Sequence, residues 1–90
     1  MSEKLNFLFR KGMIDVILYL GEEEEAGYYE TYKQGFVVSR QTFSEILKLL
    51  EEKEIAHRTV VEERPPRVYY SLTEKGEKVK KLLETLIEVI

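Results

Sequence analysis

The sequence predicts an α+β, mostly helical fold for a chain of 90 residues, and three observations carry that prediction. Residues 43–50 repeat apolar side chains at helical spacing. Residues 55–72 switch to alternation, broken by Pro65-Pro66, and residues 79–90 return to a helical stripe. No repeat, low-complexity tract or linker interrupts them, so one domain is expected over residues 1–90.

Each element can be justified in order. Ser2 to Phe9 carries Leu5, Leu8 and Phe9 on one face, too short a helix to stand unless it packs on something. Gly12 should break it, and Met13 to Leu20 (MIDVILYL) continues as a helix whose only charge is Asp15. Burial on all sides is difficult in so small a domain. A second subunit covering Met13 and Ile17 is therefore expected, with a central helix in a monomer as the alternative. Gly21 is placed to stop this helix, and Glu22 to Glu25 form a solvated run. Ala26 to Gln34 reads as a short helix ended by Gly35. Tyr28 and Tyr32 share one of its faces with Tyr29 beside them, as a core edge whose hydroxyls reach water or, more sharply, as a stacking platform for bases. Gly35 to Val38 makes a turn in which Val38 should pin the next helix to the core.

That next helix follows Ser39, a residue able to cap it, and buries Phe43, Ile46, Leu47 and Leu50. Beyond Glu54, Ile55, His57, Thr59 and Val61 alternate with Ala56, Arg58 and Val60 as a strand. Arg64-Pro65-Pro66-Arg67 forces a turn, because neither proline donates to a ladder. Val68, Tyr70 and Leu72 then return as a second strand. Thr73 caps a last helix with Glu74 and Glu77 in its favourable first turn. Its stripe of Val79, Leu82, Leu83, Leu86, Ile87 and Ile90 outruns what the body of the domain can cover, which predicts a dimer seam.

Composition narrows the function classes. A domain this small buries about 60 to 70 per cent of its unfolded surface, so a partner subunit is a reasonable expectation. The absence of cysteine removes disulfides, thiolate metal sites and cysteine nucleophiles together, and fits a reducing, cytoplasmic setting. No apolar run approaches the roughly 18 residues that cross a bilayer, and Met1 to Arg10 lacks the organisation of a signal peptide. Abundant Glu and Lys with a single Asn lean toward a thermophile source. His57, the only histidine, has no metal-binding neighbour in sequence, and no nucleophile–base pair, phosphate loop or carboxylate pair is present. No metal, cofactor or enzymatic activity is expected. The net charge of −3 argues against nucleic acid at first sight, but residues 1–34 hold seven acids against four bases, while residues 35–73 hold six of each. Association follows the local field rather than the total.

A helix followed by an arginine-tipped hairpin is the layout of a winged helix. The runs PPRVYYSLTEKG (65–76) and VSRQTFSEILKLLEE (38–52) resemble the wing and recognition helix of HxlR-type winged helix-turn-helix transcription regulators, relatives of the MarR and PadR families. The resemblance is good over residues 36–80 and loose elsewhere. It implies a helix-turn-helix over about 26–53, a two-stranded wing over about 55–72 and a C-terminal dimerisation helix over about 74–90. Three departures stand out. Glu54 occupies a position where the family usually has Gly, Ile46 and Leu49 are more apolar than usual, and the N-terminal Cys of redox-sensing relatives is missing.

The resemblance implies double-stranded DNA as partner, read by a homodimer. Ser39, Arg40, Gln41, Ser44, Glu45 and Lys48 are the candidate contacts on the helix, with Arg64 and Arg67 on the wing. Gln41 suits adenine, Arg40 or Lys48 guanine or phosphate, and Ser44 either; Glu45 must accept from cytosine or be repelled. The alternative is a winged-helix scaffold for protein–protein contact through the acidic N-terminal third or the tyrosines. The sequence names no small-molecule effector.

Overall fold

The computed structural model describes residues 3–90. A 3-10 helix, Glu3–Phe9, leads into α1 (Met13–Glu23), a two-residue strand β1 (Ala26–Gly27), α2 (Tyr28–Tyr32), α3 (Arg40–Glu52), the hairpin β2 (Ala56–Val61) and β3 (Arg67–Leu72), and α4 (Glu74–Val89). The expected helix start at Ser2 lies outside the described residues. The short apolar segment after it forms 3-10 turns rather than an α-helix, as befits a run too brief to repay nucleation.

The core is built around α1. Met13, Val16, Ile17 and Leu20 are buried against Phe43, Ile46, Leu47 and Leu50 of α3, with Ile55, Tyr70 and Leu83 completing the cluster. This corrects the expectation that a partner covers Met13 and Ile17. Both are 0 % exposed in the single chain, because they lie on the face of α1 that packs into its own core, while Asp15, Glu22 and Glu23 stay exposed. Gly21 does not stop α1, which runs on to Glu23. Lys80 of α4 crosses so near Gly21 that a Cβ there would lie 2.3 Å from its Cδ, so the glycine serves packing instead.

The helix expected over 26–34 is shorter than its pattern suggested. Ala26 and Gly27 pair with Tyr70 and Tyr69 of β3, and the helix proper covers Tyr28–Tyr32 before a turn through Gly35 (φ 78°). The sheet therefore has three antiparallel strands in the order β1-β3-β2, and β3 is central rather than half of an isolated ribbon. Pairing of β2 with β3 runs from Ala56–Leu72 to Val61–Arg67. The hairpin leaves the core early: beyond Ala56 neither alternating face of β2 is buried. Val38 also departs from expectation. It is 90 % exposed, and its neighbour Val37 takes the core position instead.

The end of α3 shows how the wing is launched. Glu54 adopts φ 60°, Ile55 N–H donates to the Leu50 carbonyl (2.9 Å) and Glu54 N–H to the Glu51 carbonyl (2.9 Å), the paired bonds of a left-handed helix stop. Leu50 and Ile55, both buried, supply the apolar contact that accompanies it. Glycine occupies this conformation without the Cβ penalty, so Glu54→Gly is expected to stabilise the fold by about 1 kcal/mol. Urea unfolding checks this, and an unchanged or lower midpoint would count against it. Thr73 closes the wing at its other end. Its side chain caps α4 by accepting from Gly76 N–H (3.0 Å), its hydroxyl donates to the Glu54 carbonyl (2.6 Å), and its own N–H reaches the Ile55 carbonyl (3.0 Å).

Candidate nucleic-acid interface

The two faces of α3 divide as their periodicity requires. Phe43, Ile46, Leu47 and Leu50 are buried, while Arg40, Gln41, Ser44, Glu45 and Lys48 are exposed on the opposite side. Ser39 is exposed at the N-cap, and its Oγ accepts from Thr42 N–H (3.3 Å), so part of its hydrogen-bonding capacity holds the helix start.

The tyrosines of α2 are the supports of this face. The Tyr28 and Tyr32 rings pack against Phe43 at centroid distances of 5.0 and 5.4 Å. The Tyr28 hydroxyl shares a hydrogen bond with Ser44 Oγ (2.7 Å), and the Tyr32 hydroxyl donates to the Val38 carbonyl (2.9 Å). The Arg40 guanidinium lies over the Tyr29 ring at 4.9 Å and the Tyr32 ring at 5.8 Å, and donates to the Tyr29 hydroxyl. All three hydroxyls are thus engaged by α3 or the residue just before its cap. That bracing was missed in the sequence, because the spacing of the tyrosines reveals a shared face but not what lies across from it.

Glu45, the acidic residue of the face, forms an ion pair with Arg10 at 3.1 Å. Arg10 precedes α1 and had no place among the expected site residues. No local sequence signal points to a partner so far along the chain. Lys48 makes no ion pair among the described residues.

At the wing, Glu62 to Pro66 form the exposed tip, and the Arg64–Pro65 peptide bond is cis. The two arginines separate in role. Arg67 lies at the start of β3, paired with Glu63 (3.4 Å) and hydrogen-bonded to Tyr69, whereas Arg64 has no ion pair among the described residues. Hydrogen bonds to Tyr29 and to Tyr69 raise Arg40 and Arg67 respectively above the ordinary arginine value, so both stay charged. Arg58 is a further exposed cation on β2; the buried Tyr70 hydroxyl beside it is pushed up, chiefly by desolvation. Among the described residues no group of His, Cys, Asp and Glu could hold a metal ion, and no helix is long and apolar enough to cross a membrane.

Of the residues expected to form a dimer seam, Leu83 is buried in the chain's own core and Val79 packs against it. Leu82 (71 % exposed), Leu86 (53 %), Ile87 (57 %) and Ile90 (94 %) remain open along α4. An apolar groove of about 650 Å³ runs between Leu82 and Leu86 and the N-terminal 3-10 helix, which lines it with Leu5, Phe7 and Phe9.

Comparison with known proteins adds four observations. The family model described as HxlR-like helix-turn-helix matches residues 15–90. An HTH-type transcriptional regulator of Halalkalibacterium halodurans is 31 % identical over 84 residues, covering 93 % of this chain and 74 % of that protein. The crystal structure of a MarR-family transcriptional regulator from Porphyromonas gingivalis superposes with a TM-score of 0.82 at 25 % identity, over 96 % of this chain and 83 % of the other. FabT of Streptococcus pneumoniae, crystallised in complex with DNA, shares the fold at a TM-score of 0.74 and 21 % identity, over 97 % of this chain and 64 % of FabT.

Proposed function

Since the chain belongs to the HxlR-like helix-turn-helix family of transcriptional regulators, we propose that it binds double-stranded DNA in a sequence-specific manner as a homodimer, acting in the cytoplasm without catalysis. The observation that carries this reading is the exposed face of α3. Arg40, Gln41, Ser44 and Lys48 share it, and two of them are held in place by tyrosines of the neighbouring helix. Side chains locked before binding lose less entropy on contact, which is what base reading demands. That a protein of the same fold was crystallised with DNA supports the same reading. So does the fact that the relatives described are regulators rather than enzymes.

In this reading the N-terminal half of α3 enters the major groove. Gln41 pairs with adenine, Arg40 or Lys48 meets guanine or phosphate, and Ser44 contributes through the hydroxyl it shares with Tyr28. The wing contributes Arg64 to a phosphate or the minor groove, and Arg67 chiefly stiffens the wing base through Glu63 and Tyr69. The open stripe of α4 meets its copy in a second subunit, and the two recognition helices then address half-sites about 34 Å apart.

The test separates phosphate from base contacts. Arg64→Ala should weaken specific and random duplexes alike and flatten the log–log salt dependence by about 0.9, one phosphate contact's worth. Gln41→Ala should leave that slope alone, weaken only the preferred site by about 1–3 kcal/mol and relax the preference at one base pair. Affinities measured across a salt series, on a site first selected from random DNA, decide the matter. If neither variant changes affinity while both stay folded, α3 and the wing are not the reading surface, and a protein-contact role for the scaffold takes its place.

A further inference from the structure

The geometry points to Arg10 as a positioning residue for the DNA-reading face, one that masks the Glu45 carboxylate and so ties the N-terminal turn to affinity. The inference rests on the DNA-binding reading above. Glu45 shares the exposed face of α3 with Gln41, Ser44 and Lys48. A bare carboxylate there would meet the phosphates as a like charge. Arg10 Nη2 stands 3.1 Å from Glu45 Oε2, with both side chains about half exposed, so the guanidinium cancels that charge at the surface where DNA would approach.

The placement of Arg10 is built into the fold. Its N–H donates to the Phe7 carbonyl (3.3 Å) and its carbonyl accepts from Met13 N–H (3.0 Å), which fixes the backbone on both sides. Two residues on, Gly12 adopts φ 86°, and a Cβ there would lie 2.7 Å from Val37 Cγ1 and 3.0 Å from the Phe36 carbonyl oxygen. Only a glycine lets this turn rest directly on the segment that connects α2 and α3. Arg10 is thereby held beside α3 through a short stretch of chain.

Stability does not account for the pair. A surface ion pair of this exposure contributes little to folding. The ion pair Arg67–Glu63 is local, four residues apart, whereas Arg10–Glu45 joins parts of the chain 35 residues apart. Its effect belongs in the field of the reading face.

The test is a double-mutant cycle on the full chain, read as affinity for a mixed-sequence DNA duplex. Arg10→Ala should weaken binding about tenfold, as an unmasked like charge would, without lowering the melting temperature. Glu45→Gln alone should tighten binding. The double variant should return to within about twofold of the parent, because the residue to be masked is then gone. The exchanged pair, Arg10→Glu with Glu45→Arg, should bind at least as tightly as the parent. A double variant as weak as Arg10→Ala would make Arg10 a direct phosphate contact and overturn the masking role. Weakening by Glu45→Gln would assign the carboxylate to a base and overturn it too, as would an Arg10→Ala variant that binds normally. If Gln41→Ala still relaxes base preference in that last case, only this inference falls. A parent protein that binds no duplex removes both.

Discussion

Replacing Gly76 with alanine is expected to destabilise the fold by about 3 kcal/mol, lowering the melting temperature by about 15 °C. Gly76 lies buried in the first turn of α4, where an added Cβ would stand 2.1 Å from the Ile55 carbonyl oxygen and 3.1 Å from Leu72 Cβ. The nearest neighbour is backbone, and it is not free to retreat. The Ile55 carbonyl accepts the Thr73 N–H at 3.0 Å, and Ile55 itself is buried in the core. The whole helix would have to back away, breaking the Thr73 cap and the seat of Leu83 together. Thermal and urea unfolding measure the effect. A midpoint within about 2 °C of the parent, well under a kilocalorie per mole, would mean that α4 slides without loss.

Leu86→Glu should have an equally large effect on assembly and little on folding. With Leu82, Ile87 and Ile90, Leu86 is the open part of the α4 stripe, next to the groove beside the 3-10 helix. In a homodimer each such leucine buries enough surface that a buried charge in its place should weaken association about a hundredfold or more. Sedimentation should find the parent dimeric at micromolar concentration and the variant monomeric with an unchanged circular-dichroism spectrum. Leu83→Glu provides the contrast. Leu83 faces its own chain's core, so that variant should unfold rather than merely dissociate. A monomeric parent would remove the dimer from the functional model.

What could be read in the sequence, and what could not, follows from the range of the interactions. The helix at 40–52, the hairpin and the last helix were legible because their apolar spacing, caps and prolines act within a few residues. The left-handed Glu54 was legible only through the family resemblance, which usually places Gly at that position. Gly76 could be recognised as the last residue of a family motif, but its cause, the Ile55 carbonyl, becomes visible only once the wing has folded back. The apolar character of α1 was plain, yet whether Met13 and Ile17 faced a partner or their own chain depends on how many layers enclose them. Val37 and Val38 are adjacent and chemically identical, so the choice of which one is buried was beyond composition. The Arg10–Glu45 pair and the tyrosine bonds to α3 are tertiary contacts between side chains that no local pattern relates. The candidate DNA contacts on α3 were placed on the exposed face as expected, whereas their supports were not foreseen.

The two residues of β1 have a consequence for the order in which the molecule assembles. Ala26 and Gly27 find their partners at Tyr70 and Tyr69, nearly half the chain length away. A two-residue strand has no stability of its own. The start of α2 therefore acquires its anchor only after the returning arm of the hairpin is in place, and the loop closed by that contact encloses α2, α3 and β2. During synthesis the helix pair waits, incompletely docked, until the residues near 70 have left the ribosome. A fragment ending after α3 contains every residue of the proposed reading helix but not the strand that fixes its companion. Minimal versions of the reading unit must accordingly keep the hairpin, even where its tip touches nothing.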